Sequence, residues 1–452
     1  MTELCDLTLA ELSGLLADGG ASATEAVESH LRRIEERNGE LNAVVTLDAD
    51  GARARAREAD QARHAGRTAW PLHGVPMTLK DGHDVAGLRT TVGTTELDRV
   101  ADTDGTVAAR LRAAGVNLIG HTNVPAWLAD HQTGNALFGR TNNPWDPSRT
   151  PGGSSGGAVV AVATGMTPAE VGSDLVGSVR QPAALCGVYG LRPTEHRVPA
   201  TGFFRVPGSP RPVRVMSALG PIARSLDDVE LVLSVISGPD GYDAEVPPVP
   251  LRRLSGLAPR DLRVAVAPVI PGAPVAGVLS DRVRAVADAA ADAGAQVTEA
   301  LPAVSWDEQL ELFGDLLMTI TSVFPKSEHS LADYLTMLDR RDGFVAAWER
   351  FFAGYDVLLM PAAATVAYPH SGGEEPLDID GRRVPYHEQG FVYAATSLCG
   401  LPGLVVPAGA DGGGLPVAVQ LAGPKWSEPT LLAAARGLEY AGITPGFRAP
   451  GT

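Results

Sequence analysis

An α/β protein with a largely buried sheet is the fold this sequence predicts, on two observations. Strand-like and helical stretches alternate in two separate parts of the chain, and the chain closes on two further apolar strands and a helix. From residue 71 onward, VPMTLK (75–80) reads as a strand, TVAARLRAAG (106–115) as a helix and VNLIG (116–120) as a strand again. LRVAVAP (262–268), DRVRAVADAAADAG (281–294) and AQVTEA repeat that order.

The remaining elements follow in chain order. Ser22 and Glu25 form a capping-box pattern, Val27, Leu31 and Ile34 share one helical face, and Asn38-Gly39 is expected to stop that helix. AVVAVATG (158–165) reads as a buried helix. The Pro- and Gly-rich stretch 236–260 reads as a surface connection, not a hinge between domains. Residues 301–355 look helical and carry Trp306, Phe313, Tyr334, Phe344, Trp348, Phe351 and Phe352, a candidate wall over a site. LVVP (404–407) and PVAVQLAG (416–423) are strand-like, and Glu428-Pro429 opens the last helix, where proline suits the first turn. The whole chain, 1–452, is read as one domain.

Composition narrows the function classes. A net charge of −16 disfavours nucleic-acid backbones and anionic membranes as partners, because the summed field repels them. Cys5, Cys186 and Cys399 lie far apart, which argues against a disulfide framework or a zinc site and fits a reducing, cytoplasmic compartment. The start, MTELCDLTLAEL, lacks the pattern of a signal peptide. The uncharged run 391–410 is broken by Gly400, Pro402, Gly403 and Pro407, so a buried core is expected there and not a membrane helix. Of 37 basic residues only three are lysines, Lys80, Lys326 and Lys425. Codon bias explains most of that skew, but a lysine can lose its proton where an arginine cannot.

TPGGSSGGA (150–158) is the focus of the chemistry. A flexible linker of this composition leads into polar sequence, whereas this one leads into a buried helix. A P-loop needs GxxxxGK[ST], and the next lysine is Lys326. A nucleophile elbow, or a dinucleotide fingerprint, needs a strand immediately before it, which RTNNPWDPSRTP cannot supply. Downstream, PAEVGSDLVGSVRQPAALCG adds Ser178 in a second glycine-containing turn. With Lys80 in PMTLKDG, two hydroxyls and one amine make a sufficient set for acyl transfer: nucleophile, relay and base.

PLHGVPMTLKD (71–81), FGRTNNPWDPSRTPGGSSGG (138–157) and GSDLVGSVRQPAALCGVYGLRPT (172–194) resemble the amidase signature family. GLPGLVVPAG and GLPVAVQLAGP are similar to its closing segment, so the likeness spans roughly residues 20 to 440. The resemblance implies an α/β/α fold, with a large twisted mixed sheet flanked by helices, and a Ser–Ser–Lys triad. Lys80 matches the family's base, Ser154 its relay, whose peptide bond is cis, and Ser178 its nucleophile, 24 residues on. Burial lowers a lysine's pKa by up to ~3–5 units, which lets a neutral amine draw a proton through one hydroxyl from the other. Backbone N–H groups of Leu175, Val176, Gly177 and Ser178 would hold the oxyanion, each worth roughly 3–4 kcal/mol. Ser155, Asp174 and Arg180 are expected to brace the loops, and His73, His83 and His121 to be structural.

The resemblance implies hydrolysis of a small or peptidic amide, releasing ammonia or an amine, with no cofactor and no metal; a homodimer is left open. Transfer to an amine acceptor is the alternative reading. The acidic surface and SALGP (217–221) disfavour a subunit of a tRNA-dependent amidotransferase, and the intact triad disfavours a non-catalytic binding homologue. Specificity is expected from the loops and from 301–355, with apolar walls around the acyl group. Three departures stand out. Val176 occupies a position where glycine is usual, Arg192 one where lysine is common, and Gly82-His83 is an unusual pair after Lys80-Asp81. Because a β-branched residue resists positive φ, Val176 is expected to reshape the turn or narrow the pocket.

Overall fold

The computed structural model describes residues 3–68, 71–206, 213–321, 330–373 and 375–451. Lys326 and the part of the helical block at 322–329 lie outside the described residues. Eleven strands make up the two sheets that matter here: β1 (Val44–Leu47), β2 (Pro76–Lys80), β3 (Asn117–Thr122), β4 (Ala169–Asp174), β5 (Tyr189–Arg192), β6 (Ala218–Ala223), β7 (Arg263–Val266), β8 (Gln296–Glu299), β9 (Val357–Pro361), β10 (Gly403–Ala410) and β11 (Pro416–Ala422). The larger sheet is mixed, in the order β8-β7-β9-β11-β10-β5-β6-β4. Its β8-β7-β9 end is parallel and the rest antiparallel. The smaller sheet, β1-β3-β2, pairs β2 with β3 in parallel. Strand β2 packs against β4, so the end of one sheet meets the end of the other. That junction carries Lys80 at the end of β2.

Helices cover both sheets: α1 (Leu9–Asp18), α2 (Ala23–Leu41), α3 (Ala49–His64), α4 (Thr106–Ala113), α5 (Gly156–Ala163), α6 (Arg180–Cys186), α7 (Leu226–Ile236), α8 (Gly277–Asp292), α9 (Trp306–Thr321), α10 (Leu331–Phe352), α11 (Phe391–Leu398) and α12 (Glu428–Tyr440). The α/β/α architecture and the large mixed sheet agree with the sequence reading. Ser22 and Glu25 do form a reciprocal cap on α2, whose Val27, Leu31 and Ile34 are buried. That helix, however, runs past Asn38-Gly39 and ends in a left-handed Asn42, φ 49°. Asn38 is part of the last turn: its carbonyl accepts from the Asn42 amide, and its side-chain oxygen accepts from the amides of Ala43 and Val44 just beyond the helix. The uncharged run 391–410 divides into α11 and β10, and nearly all of it is buried. Among the described residues no helix is long and apolar enough to cross a membrane.

The aromatics of 301–355 serve packing more than the site. Trp348 is fully buried, with ring centroids 6.1 Å from Trp306 and 5.9 Å from both Phe351 and Phe352. Its indole N–H donates to Gln309 Oε1 at 2.9 Å, tying α10 to α9. Replacing Trp348 with alanine opens a cavity and removes that bond, at a cost of about 3–5 kcal/mol. A lowered urea midpoint, with the turnover of the folded fraction retained, is the expected result. An unchanged midpoint would contradict this account of the core.

Candidate active site

Lys80 is 0% exposed, and its Nζ lies 2.7 Å from Ser154 Oγ, 2.9 Å from Ser155 Oγ and 2.9 Å from Ser173 Oγ. Burial pushes its pKa down from 10.5 to about 7, against the opposing pull of the Asp174 and Glu170 carboxylates. Two of these neighbours come from the glycine-rich loop and the third from β4. Ser155 therefore touches the amine itself as well as bracing the loop. Sequence reasoning misses Ser173; its place one residue before Asp174, at the strand end facing β2, is a signal only once the sheets are assembled.

The glycines of the loop permit close backbone packing. A Cβ on Gly157 would sit 2.4 Å from the Asn123 nitrogen, so only glycine lets α5 start against the strand end of β3. The Gly153–Ser154 peptide bond is cis. The Ser155 amide donates to the Ser178 carbonyl at 3.2 Å, which joins the loop to the second turn.

That second turn is built around Asp174. Burial favours its neutral form, but the Arg180 guanidinium, Arg192 and the Val179 amide outweigh burial and hold it well below the usual carboxylate range. Arg180 makes a two-pronged contact at 2.9 Å to each carboxylate oxygen, and its remaining reach goes to Thr396, Ser397 and Gln420. Arg192 donates to the Asp174 carbonyl at 2.6 Å and lies 3.4 Å from Oδ1. The departure from lysine thus gives one side chain hold of both the backbone and the carboxylate.

Gly177 takes φ +86°, and a Cβ there would lie 2.3 Å from the Tyr393 ring. Val176 keeps φ out of the positive region, so the turn is not reshaped by its branching; its side chain instead lines the cavity. The Gly177 N–H, counted from the sequence among the oxyanion donors, donates to Asp174 Oδ1 at 2.9 Å. The amides of Leu175, Val176 and Ser178 have no acceptor among the described residues. The Ser178 hydroxyl is partly exposed and likewise makes no hydrogen bond among them.

Ser154, Ser173 and Ser178 open onto one cavity of about 910 Å³, whereas Lys80, Ser155, Asp174 and Arg180 lie behind its wall. The wall is mostly apolar. Of the seven aromatics expected there from 301–355, only Phe313 contributes; Trp127, Phe203, Phe204, Tyr386 and Phe391 come from elsewhere in the chain. The others are taken up by one another and by the core, as the Trp348 cluster shows. Helix α9 still faces the cavity through Leu310, Gly314, Leu317 and Met318. His73 bonds to the Ala59 carbonyl and His121 to that of Arg89, while His83 packs on Phe203. Among the described residues no group of three His, Cys, Asp or Glu side chains could hold a metal.

The sequence profile of the amidase family matches residues 25–319 and 314–432. The chain belongs to that family. This amidase is 34% identical to a glutamyl-tRNA(Gln) amidotransferase subunit of Roseiflexus sp. (strain RS-1), over 96% of each chain. It is 34% identical to the putative amidase AmiB2 of Mycobacterium tuberculosis (strain ATCC 25618 / H37Rv), over 97% of each. The solved bacterial aryl acylamidase of the amidase signature family superposes with a TM-score of 0.84 at 26% identity, covering 97% of both chains. Family membership makes the protein an enzyme of amide bonds, acting by hydrolysis or transfer.

A Gly177→Ala variant tests the turn. A left-handed alanine costs about 1–2 kcal/mol before the collision with Tyr393 is counted. The expected outcome is a melting temperature lower by several degrees and a loss of amide turnover of roughly a hundredfold or more. A fully active variant would show that the turn is not held as described.

Proposed function

We propose that this amidase hydrolyses an amide with an apolar acyl portion through a Ser178 acyl-enzyme, with Ser154 as proton relay and Lys80 as base. The observation that carries the reading is the buried Lys80 amine, 2.7 Å from a serine that shares a cavity with Ser178. The three hydroxyls around Lys80 accommodate a neutral amine as well as an ammonium. In the neutral form it has two N–H groups and one lone pair, so it would donate to Ser155 and Ser173 and accept from the Ser154 hydroxyl, 2.7 Å away. The Ser154 oxygen then has a lone pair for the Ser178 proton, a contact the relay requires to form when substrate fills the cavity.

In the first step the Ser178 oxygen bonds to the acyl carbon, and the carbonyl π pair moves onto oxygen. The Ser178 proton passes to Ser154 and that of Ser154 to Lys80, leaving one ammonium and one oxyanion. The amides of Leu175, Val176 and Ser178 are the available oxyanion donors, while that of Gly177 keeps Asp174 in place. In the second step the proton returns through Ser154 to the leaving nitrogen as the C–N bond breaks and its pair moves onto nitrogen. Water, deprotonated by the same relay, then releases the acid. Because the cavity wall is mostly apolar, an aliphatic or aromatic acyl group fits it better than a charged one. Likeness to an amidotransferase subunit favours a second reading in which an amine replaces water as acceptor. Product analysis with and without added amines separates the two.

The amine must be neutral to accept a proton, so activity is lost as pH falls through the Lys80 pKa. kcat/KM is expected to rise with an acid limb near pH 7, about tenfold per unit below it. A flat profile between pH 5 and 8 would contradict the assignment. Across a panel of amides and esters, Ser178→Ala and Lys80→Met are each expected to lower kcat by at least about a thousandfold. Labelling of wild type by a fluorophosphonate should vanish in Ser178→Ala. Lys80→Met with intact turnover would remove the base from the mechanism.

A further inference from the structure

Glu170 has no part in the relay just described, yet it sits against it. It lies on β4, 0% exposed, and both carboxyl oxygens accept hydrogen bonds, from Thr78 Oγ1 at 2.7 Å and Thr122 Oγ1 at 2.5 Å. Both donors are tied to Lys80. Thr78 precedes it by two on β2 and so shares its face, and Thr122 is its register partner on β3. The carboxylate is therefore pinned by the two hydroxyls that flank the lysine on its own strand and on the next.

Its surroundings set it apart. Asp84, Asp174, Glu195 and Glu428 are also buried and each pairs with an arginine, while the buried Asp81 and Asp228 are held by backbone amides as well as hydroxyls. Among the described residues no ion pair reaches Glu170. It has two neutral donors, and the cation acting on it is Lys80. Burial pushes the Glu170 carboxyl up to about 7, with Thr122, Thr78 and Lys80 opposing that rise.

The other charges around Lys80 are already committed. Asp174 is held by Arg180 and Arg192, and Asp81 by the Thr91 and Val92 amides and the Thr91 hydroxyl. His83 is neutral, since burial drives it down to about 3, and His121 bonds to the Arg89 carbonyl. Of the helices on β2 and β4, α5 has no titratable side chain. On α2 the buried His30 bonds to the Ala26 carbonyl. On α7, Asp228 takes the amides of Leu9 and Ala10, and Glu230 pairs with Arg436.

We propose that Glu170 is the built-in counter-charge of the base, a positioning residue whose carboxylate stabilises the ammonium form of Lys80. It sets the pH at which the amine becomes competent and holds the proton on nitrogen while the tetrahedral intermediate lasts. The inference rests on Lys80 being the base. It explains why a carboxyl group is buried here without an arginine: a permanent cation at this place would compete with the transient one.

The test measures the rate of Ser178 labelling by a fluorophosphonate against pH, which needs no knowledge of the natural substrate. Glu170→Gln keeps the size and the hydrogen-bonding capacity but removes the charge. Without the carboxylate the ammonium is less stable, so the amine is neutral at lower pH. The acid limb is expected to move down by about one unit, and the plateau rate to fall several-fold because the base is weaker. Glu170→Asp, which keeps the charge, is expected to hold the limb near that of wild type. Thr122→Val, which takes one donor from the carboxylate, is expected to move it in the same direction as Glu170→Gln but less, and serves if Glu170→Gln does not fold. A limb that stays in place in both Glu170→Gln and Thr122→Val, or moves upward, overturns the proposal. Lys80→Met separates the two claims. If it still labels at the wild-type rate, the base assignment fails; if it is inert while Glu170→Gln keeps the wild-type limb, the counter-charge alone fails.

Discussion

A primary amine enclosed by three hydroxyls and no water-facing surface is the constraint around which the two sheets are assembled. Lys80 ends β2, the last strand of the smaller sheet, while Ser173 lies near the end of β4, the last strand of the larger one. The glycine-rich loop closes the gap from above with Ser154 and Ser155. Burying a charge without a direct ionic partner is costly, and in proteins the usual response is to give up the charge. Here that response is the useful one, because the proposed reaction begins from the uncharged amine. Hydroxyls suit the enclosure because each can donate or accept. The same three contacts serve an amine with two protons and an ammonium with three.

The second turn obeys the opposite logic. Asp174 is fixed in its charged state by Arg180 and Arg192, and its oxygens also take the amides of Gly177, Val179 and Arg180. One carboxylate thereby dictates the path of the backbone on both sides of Ser178. Removing one partner of such a buried group leaves an uncompensated charge, a loss of about 3–5 kcal/mol. The turn is thus rigid for electrostatic reasons, and Gly177 is the residue that lets it bend under the Tyr393 ring. Rigid donors cost no reorganisation when charge develops beside them, which is what an oxyanion site requires.

Much of this was legible in the sequence because it is local. Lys80, Ser154 and Ser178 each sit in a short motif rich in glycine or proline, and the strand–helix alternation put Lys80 at a strand end. What was not legible depends on strands distant in the chain. Ser173 and Glu170 become neighbours of Lys80 only when β4 is laid beside β2, and nothing in VPMTLK or PAEVGSD announces that contact. The aromatics of 301–355 misled for a different reason. Composition says that large rings cluster, but not which face of a helix they occupy; α10 turns Trp348 and Phe352 into the core, while α9 gives the cavity one ring, Phe313, among aliphatic and polar side chains. Of the two effects expected of Val176, the side chain lines the cavity, while the positive φ falls on its glycine neighbour, a one-residue distinction that spacing cannot resolve.

The division between arginine and lysine links these levels. Where a buried carboxylate needs a permanent partner, the chain supplies arginine: Arg180 and Arg192 for Asp174, Arg197 for Glu428, Arg341 for Glu195. A guanidinium keeps its proton in any protein environment and fits a carboxylate with two parallel bonds, so these pairs are static. An arginine at position 80 would have kept its charge, satisfied Glu170 permanently and left Ser154 facing a donor with no lone pair. Only an amine has a protonation equilibrium that burial can bring close to neutrality. In a chain where arginine outnumbers lysine so heavily, a lysine at the junction of the sheets is what the proposed relay requires, one cation that can be made and unmade.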